Sequence, residues 1–430
     1  MDASHRQKHQ EAVRRSGMKV IRLSLRNFRN VRESPFQPEP GLNFLIGANG
    51  QGKTSFLEAL GFLATLRSFR GSSSEEVLCW GEDAAEIRCT LAPDPDDAEQ
   101  GWETELRILF NKSGSPEKTS RVAFINGKPF KSSTSYLSQR FGNFVLGFHT
   151  VVFNPSDHDL VRGEPSIRRA YLDRVLAAEN GDYLKIFQKY QRVVQQRNAI
   201  LRTSERPDPD LISGFSEQMG KLAAAIAWQR LTWLKKLSER LNDTARRIAP
   251  NLPFLRPVYL SNWVPNIEGL SIPNHDLEAV HFAGLGPLPS LELLEQAFWN
   301  KLSVLEMAEW KSGHSLVGPH RDDWSFYFGN QALKGHGSQG EVRSALLALK
   351  LCEIELFRNE TGHRPLFLLD DFSSELDRER RSFLLRFLSE TDLQVFVTTT
   401  EDFSTMGKRF IVRNGSLVSH DVRPSQLNGS

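Results

Sequence analysis

The chain has 430 residues, 39% hydrophobic and 25% charged, with 54 basic against 52 acidic side chains and a net charge of +2. Such a length implies two or three domains, and the near-neutral balance excludes a global electrostatic case for nucleic acid, leaving only local patches. No apolar run approaches the roughly 20 residues that cross a bilayer, and the scattered Cys79, Cys89 and Cys352 lack metal-ligand spacing and fit a reducing cytosol.

Residues 1–17 are polar, without the apolar segment of a secretory signal, and are expected as a disordered extension. Residues 20–25 and 42–46 read as strands. The second runs into Gly47-Ala48-Asn49-Gly50-Gln51-Gly52-Lys53-Thr54, the pattern G-x-x-x-x-G-K-T, and residues 55–60 read as the first turns of a helix. That strand, loop and helix form a phosphate-binding loop. Its glycines let backbone N–H groups turn inward, and the helix start adds partial positive charge. Lys53 would reach the β- and γ-phosphates of a nucleotide, and the Thr54 hydroxyl would ligate Mg²⁺.

Further strands are expected over 87–91, 104–110 and 120–125, with Asn126-Gly127 as a hairpin turn and an exposed acidic loop over 92–101. From 166 to 248 the pattern turns helical. Phe187, Tyr190 and Val194 share one face, as do Met219, Leu222, Ile226, Trp233, Leu237 and Leu241. Arg206-Pro207-Asp208-Pro209 breaks the two runs. A Pro- and Gly-rich stretch over 250–289 follows, then a helix over 291–310, a strand over 324–328 and a helix over 342–357.

Residues 366–369 form a wholly apolar run ending in Asp370-Asp371, as expected of a strand buried on both faces whose C-terminal end meets a ligand. Asp370 would hold Mg²⁺, directly or through water, and Asp371 would orient or deprotonate an attacking water. A last strand, 395–397, leads into Thr398-Thr399-Thr400. The fold class expected is α/β, a nucleotide-binding head of mixed sheet split by an inserted helical arm. The boundaries expected are an extension to 17, a first half of the head over 18–165, the arm over 166–310, the second half over 311–422 and a polar tail over 423–430.

Three other segments complete a constellation. Gly337-Ser338-Gln339-Gly340-Glu341 stands at a helix start, where hydroxyl, free N–H groups and dipole can hold an anion. Ser374-Glu375-Leu376-Asp377 follows the acidic pair, and Leu25-Arg26-Asn27-Phe28-Arg29-Asn30 opens the head. With the runs LRSFR, INGK, VVFNPSDHDLVRGEPSIRRAYLD and LVGPHRDD, these resemble the RecF family of the ABC/SMC ATPase superfamily.

The resemblance implies a cytoplasmic ATPase of DNA repair, replication restart and the SOS response. It would bind ATP with Mg²⁺ and form an ATP-dependent homodimer on gapped or single-strand/double-strand junction DNA. It would work with RecR and RecO to place RecA, with no membrane partner. It also implies that residues 47–55, including Ser55, and Asn30 meet the nucleotide. Ser338, Gln339 and Gly340 would contact the nucleotide of the other subunit, and Ser374 and Asp377 would lie in the loop crossing the dimer interface. The catalytic pair would be Lys53 and Asp371.

The chain departs from the ABC pattern at Glu341, where glutamine is usual, and at Asp371, where glutamate is commoner. Thr398-Thr399-Thr400 offers no switch histidine, and only Asn154 or Asp157 stands near the place of the Q-loop glutamine. These departures suit a slow switch. Basic residues cluster at Arg162, Arg168, Arg169 and Arg174, continue through Lys185, Lys189, Arg192, Arg197 and Arg202, and recur at Lys235, Lys236, Arg240, Arg246 and Arg247. Arg168, Arg169, Lys185, Lys189 and Arg192 are the expected phosphate contacts to DNA, with a structural role beside the head as the equal alternative for Arg168 and Arg169. A transporter ATPase subunit or an SMC-type structural ATPase would share the phosphate loop. The inserted arm opposes the first, and the lack of a long heptad run opposes the second.

Overall fold

The computed structural model describes residues 18–71, 75–93, 102–113, 118–140, 148–203, 209–265, 280–282, 286–329, 331–375, 377–402 and 407–419. The expected N-terminal extension, the break at 206–208, most of the acidic loop and the C-terminal tail lie outside them. The chain divides into two compact units. One takes in residues up to Pro155 together with those from Phe357 on, and the other is Ser156–Leu356.

The first unit carries two six-stranded sheets. Strands β1 (Met18–Phe28), β2 (Val31–Phe36), β4 (Ala84–Pro93), β5 (Thr104–Ser113), β6 (Lys118–Ile125) and β7 (Lys128–Phe130) form an antiparallel sheet in the order β2-β1-β4-β5-β6-β7. Pro35 is tolerated because β2 is an edge strand. The turn between β6 and β7 has positive φ at Asn126 (49°) and Gly127 (76°), the hairpin geometry this dipeptide favours. The second sheet is built from β3 (Leu42–Ile46), β8 (Thr150–Phe153), β13 (Leu366–Leu369), β14 (Val395–Thr399), β15 (Lys408–Arg413) and β16 (Ser416–Ser419), in the order β16-β15-β3-β14-β13-β8. All its neighbours are parallel except β15 and β16.

Helix α1 (Lys53–Thr65) touches strands of both sheets and is buried on nearly every face, which explains its run of Phe56, Leu57, Leu60, Phe62 and Leu63. The register brings the strand ends level. Phe153 pairs with Leu369, Leu369 with Val397, and Thr399 with Ile46. Gly47, Asn154, Asp370 and Thr398 therefore all leave or end the sheet along one edge, the C-terminal edge where open α/β sheets place ligands.

Helix α2 (Ser133–Arg140) also belongs to the first unit; the second holds the short α3 (His158–Arg162), α4 (Pro165–Glu179), α5 (Gly181–Thr203), the 40-residue α6 (Pro209–Ile248) and α7 (Leu291–Ser312). A four-stranded sheet joins them, ordered β10-β9-β11-β12, from β9 (Leu255–Ser261), β10 (Val280–Phe282), β11 (Asp323–Phe328) and β12 (Gln331–Ala332). This unit is wider than the arm expected over 166–310. The reason is pairing: β11 runs antiparallel to β9 from Asp323 to Phe328, so residues assigned to the returning head belong here. The buried side of α6 includes the expected Met219, Ile226, Trp233, Leu237 and Leu241. On α5 Tyr190 is buried as expected, with Tyr183, Val193 and Arg197; Phe187, stacked on Tyr183, and Val194 are half-buried.

Arg197 makes a buried ion pair with Glu309 at 2.6 Å, and Arg230 one with Asp173 at 2.8 Å. Each is paired because an isolated buried charge would cost several kcal/mol. His320 sits among them. Its Nε2 donates to the Ser315 carbonyl (3.0 Å), which leaves Nδ1 to accept from the Tyr190 hydroxyl (2.7 Å). Burial pushes its pKa from 6.5 down to about 4, with Arg321, Arg169 and Arg230 adding to the effect.

The folded pKa lies below the unfolded one, so this histidine's contribution is complete above the unfolded value. It is lost as pH falls from about 6.5 toward 4. The full loss is about 3 kcal/mol. Asp322, pushed up to about 6 by burial, acts in the opposite direction over the same window. The histidine is therefore isolated by difference. Between pH 7 and 4.5, wild-type stability in urea should fall relative to His320→Gln, and parallel curves for the two proteins would refute this assignment.

Candidate functional site

The phosphate loop spans the gap between β3 and α1. Gly50 (φ +79°) and Gly52 (φ +99°) take left-handed backbone that other residues adopt at a cost. Gly47 is required by contact: a Cβ there would stand 2.5 Å from the Val412 carbonyl oxygen. The loop is braced from three directions. The Gly47 N–H donates to Thr399 O (3.2 Å), and Asn30 donates to Gly50 O (3.2 Å) while accepting from the Ser55 hydroxyl (3.0 Å). Gln51 accepts from Gly415 N through its carbonyl (2.9 Å) and from Asn414 N through its side chain (2.7 Å). Asn30 thus acts on the loop itself, and so does the turn between β15 and β16, which no motif marks in the sequence.

Lys53 is buried, and its ammonium donates to the Gly47 and Ala48 carbonyls at 2.8 and 2.9 Å. Burial lowers its pKa, against the pull of the Asp371 and Asp370 carboxylates. Asp370 Oδ1 accepts from two hydroxyls, Thr54 at 2.8 Å and Thr398 at 2.7 Å. Burial raises the Asp370 pKa, while those two hydrogen bonds and the Arg70 charge oppose the rise. Asp371 is half-buried at φ +53°, and its N–H donates to Thr398 Oγ1 (2.8 Å). Ala48, Asn49 and Gly50 are exposed around this centre.

This donor set fits a nucleotide with a hard divalent cation. Curled backbone and a lysine serve phosphates, and a hydroxyl beside a carboxylate serves Mg²⁺. Behind the loop, Glu58 is fully buried and paired with Arg29 at 2.5 Å; it also accepts from the Ser68 hydroxyl and lies 3.7 Å from Arg70. The runs NFRN and LRSFR are therefore tied together through one carboxylate on α1.

The Ser374 hydroxyl donates to Asp371 O (3.2 Å). Asp377 caps the helix Arg378–Ser389, accepting from Arg380 N (2.9 Å) and pairing with the Arg380 guanidinium. Leu376 between them lies outside the described residues. Of the two residues near the Q-loop place, Asp157 is paired with the buried Lys350 at 2.9 Å. Asn154 follows β8 directly, at the point where Asp370 N donates to Phe153 O (2.8 Å), so it stands beside the acidic pair in sequence register.

In the second unit, Ser338 lies at the start of the helix Gln339–Thr361. Its N–H and hydroxyl both donate to Glu341 Oε2 at 2.8 Å, and Glu341 N donates back to Ser338 Oγ at 3.3 Å. This is a capping box, S-x-x-E, and it gives Glu341 a local role that glutamine shares. Ser338 and Gln339 are exposed and Gly340 is half-buried.

The expected DNA contacts divide. Arg168 is buried and forms a bidentate pair with Asp323 at 2.8 and 2.7 Å, and Arg169 donates to Asp322 O at 2.9 Å. Arg168 is therefore corrected to a structural residue, since its charge is spent inside the unit, and Arg197 is corrected likewise by its pair with Glu309. Lys185, Lys189 and Arg192 are exposed on α5. Lys185 has only a surface pair with Asp182 (2.9 Å), of the kind worth little in water. No helix among the described residues is long and apolar enough to cross a membrane.

A family model described as the RecF/RecN/SMC N-terminal domain matches residues 19–413. DNA replication and repair protein RecF of Geobacter sulfurreducens is 34% identical over 391 residues, covering 90% of this chain and 94% of that protein. RecF of Geotalea uraniireducens is 30% identical over 411 residues, covering 93% of this chain and all of its own. A solved structure of the recombination mediator RecF with ATP, in the RecFOR pathway, superposes with a TM-score of 0.78 at 26% identity, covering 95% of this chain and 99% of that one. An SMC head domain from Pyrococcus furiosus superposes at 0.51 with 12% identity, which is a likeness of fold alone.

Proposed function

The chain belongs to the RecF family of the RecF/RecN/SMC group, and from that premise we propose that it is an ATP-gated DNA-binding protein of recombinational repair. The observation that carries this reading is the cluster of Lys53, Thr54, Asp370 and Asp371 at one sheet edge. The loop N–H groups and Lys53 hold the β- and γ-phosphates. Thr54 and Asp370 hold Mg²⁺, which when bound neutralises phosphate charge. Asp371 orients the attacking water and takes its proton. As a carboxylate one methylene shorter than glutamate, it suits slow hydrolysis and a switch rather than a motor.

ATP also joins two copies of the chain. Ser338, Gln339 and Gly340 of one copy meet the γ-phosphate on the other copy's loop, with Ser374 and Asp377 at the crossing. Glu341 already takes both Ser338 donors, so the phosphate must compete with an internal carboxylate. That competition keeps the homodimer transient. The dimer closes on gapped or junction DNA in the cytoplasm and acts with RecR and RecO to place RecA, in line with the RecFOR pathway of the similar solved structure.

The exposed row Lys185, Lys189 and Arg192 follows the backbone phosphates. Its spacing keeps all three on one helix face. Changing the three to alanine should weaken DNA binding and flatten the dependence of log K on log salt by about 2 to 3, close to 0.9 per lost phosphate contact. An unchanged slope, measured by fluorescence anisotropy on a junction oligonucleotide, would remove this helix from the DNA interface.

A further inference from the structure

Thr398 follows three apolar residues in the buried strand Val395–Thr399, is its penultimate residue, and is 1% exposed. Valine has the same shape and serves a buried strand at least as well, so the hydroxyl needs its own explanation. Its single proton goes to Asp370 Oδ1 (2.7 Å), and its lone pair accepts the Asp371 N–H (2.8 Å). One hydroxyl thus touches both members of the acidic pair, the side chain of the first and the backbone of the second.

Both contacts constrain geometry that the site depends on. Thr398 and Thr54 converge on the same oxygen, so the Asp370 carboxylate is held from two sides through Oδ1. Asp371 adopts left-handed backbone at φ +53°, a conformation strained for a residue other than glycine. It is retained because its two peptide groups are anchored. Its N–H is held by Thr398, and its carbonyl accepts from Ser374 N (3.1 Å) and the Ser374 hydroxyl (3.2 Å).

We propose that Thr398 is a positioning residue that couples the two acids, setting the Asp370 carboxylate for the cation and the Asp371 carboxylate for the attacking water. It stands at the end of the strand where the ABC pattern has a histidine. It works through carboxylate orientation and does not itself touch the nucleotide. The inference rests on the ATPase reading above and adds a residue to it.

The test compares Thr398→Val and Thr398→Ser in the full chain, with ATP affinity measured in Mg²⁺ and in EDTA and single-turnover hydrolysis alongside. In EDTA both variants should bind ATP as the wild type does, because the phosphate loop is untouched. In Mg²⁺, Thr398→Val should lose most of the cation-dependent gain in affinity. Its hydrolysis should drop by about ten- to a hundredfold, the worth of a hydrogen bond to a charged group. Thr398→Ser restores the hydroxyl and should recover both to within about threefold. A valine variant with the wild-type cation-dependent gain and rate overturns the proposal. So does a serine variant as impaired as valine, since the lost methyl rather than the hydroxyl would then matter. A wild type that shows no ATP binding in either buffer defeats the ATPase reading itself, and is distinguished because it appears before any substitution.

Discussion

Lys53→Ala is expected to abolish measurable ATP binding. Lys53 is the one ammonium among the described residues of the phosphate loop, and it is already 8% exposed, with the Gly47 and Ala48 carbonyls within 2.9 Å. Charge-assisted hydrogen bonds to a phosphate are worth about 1.5–3 kcal/mol each, so losing two or three weakens binding by at least about a hundredfold. The fold should survive, because α1 is held by the apolar contacts of Phe56, Leu57 and Leu60. Isothermal titration of the variant, with its unfolding temperature as a control, checks both statements. Near-normal affinity would mean that the loop does not hold the triphosphate.

Asp371→Asn is expected to do the reverse, retaining nucleotide while stopping turnover. Asparagine tolerates left-handed backbone as well as aspartate does, so φ +53° and the bond to Thr398 persist. The side chain can no longer accept a proton, and loss of a general base lowers the rate by about 10²–10⁴. With hydrolysis blocked, the nucleotide-joined dimer accumulates, because a ligand that contacts both copies shifts association by its preference for the dimer. Ser338→Arg should give the opposite phenotype. Its own phosphate loop is intact, so it binds ATP, but bulk at the contact in trans keeps it monomeric. Light scattering of both variants with ATP and Mg²⁺ reads the contrast directly, and a monomeric Asp371→Asn loaded with ATP would contradict the clamp.

The sequence made the chemistry legible where it is local. Gly47 to Thr54 and the apolar run into Asp370-Asp371 are contiguous patterns whose spacing carries their meaning, and the sheet register places them at one edge. What escaped depends on partners far along the chain. Arg168 reads as part of a basic cluster, yet its partner is Asp323, 155 residues away, and no local pattern signals that pairing. The same holds for Arg197 and Glu309. Strand β9 was hidden in a segment whose prolines suggested irregular structure, although Pro257 faces a partner strand in a regular antiparallel ladder. Glu341 reads in the sequence as a departure from the ABC pattern, where glutamine is usual. The same residue completes the local spacing S-x-x-E, and the capping box is the role its contacts with Ser338 give it. Thr398 could be read only as the lack of a histidine until its two partners were in view.

The gating of DNA by nucleotide is the central claim, and one binding experiment meets it directly. Anisotropy titrations of a gapped duplex should be run with wild-type protein in Mg²⁺ with ATP, with ADP and without nucleotide, all at one salt concentration. The account predicts binding at least about tenfold tighter with ATP, as expected for a coupling free energy of about 1–3 kcal/mol between two sites. Superimposable isotherms in the three conditions would contradict it.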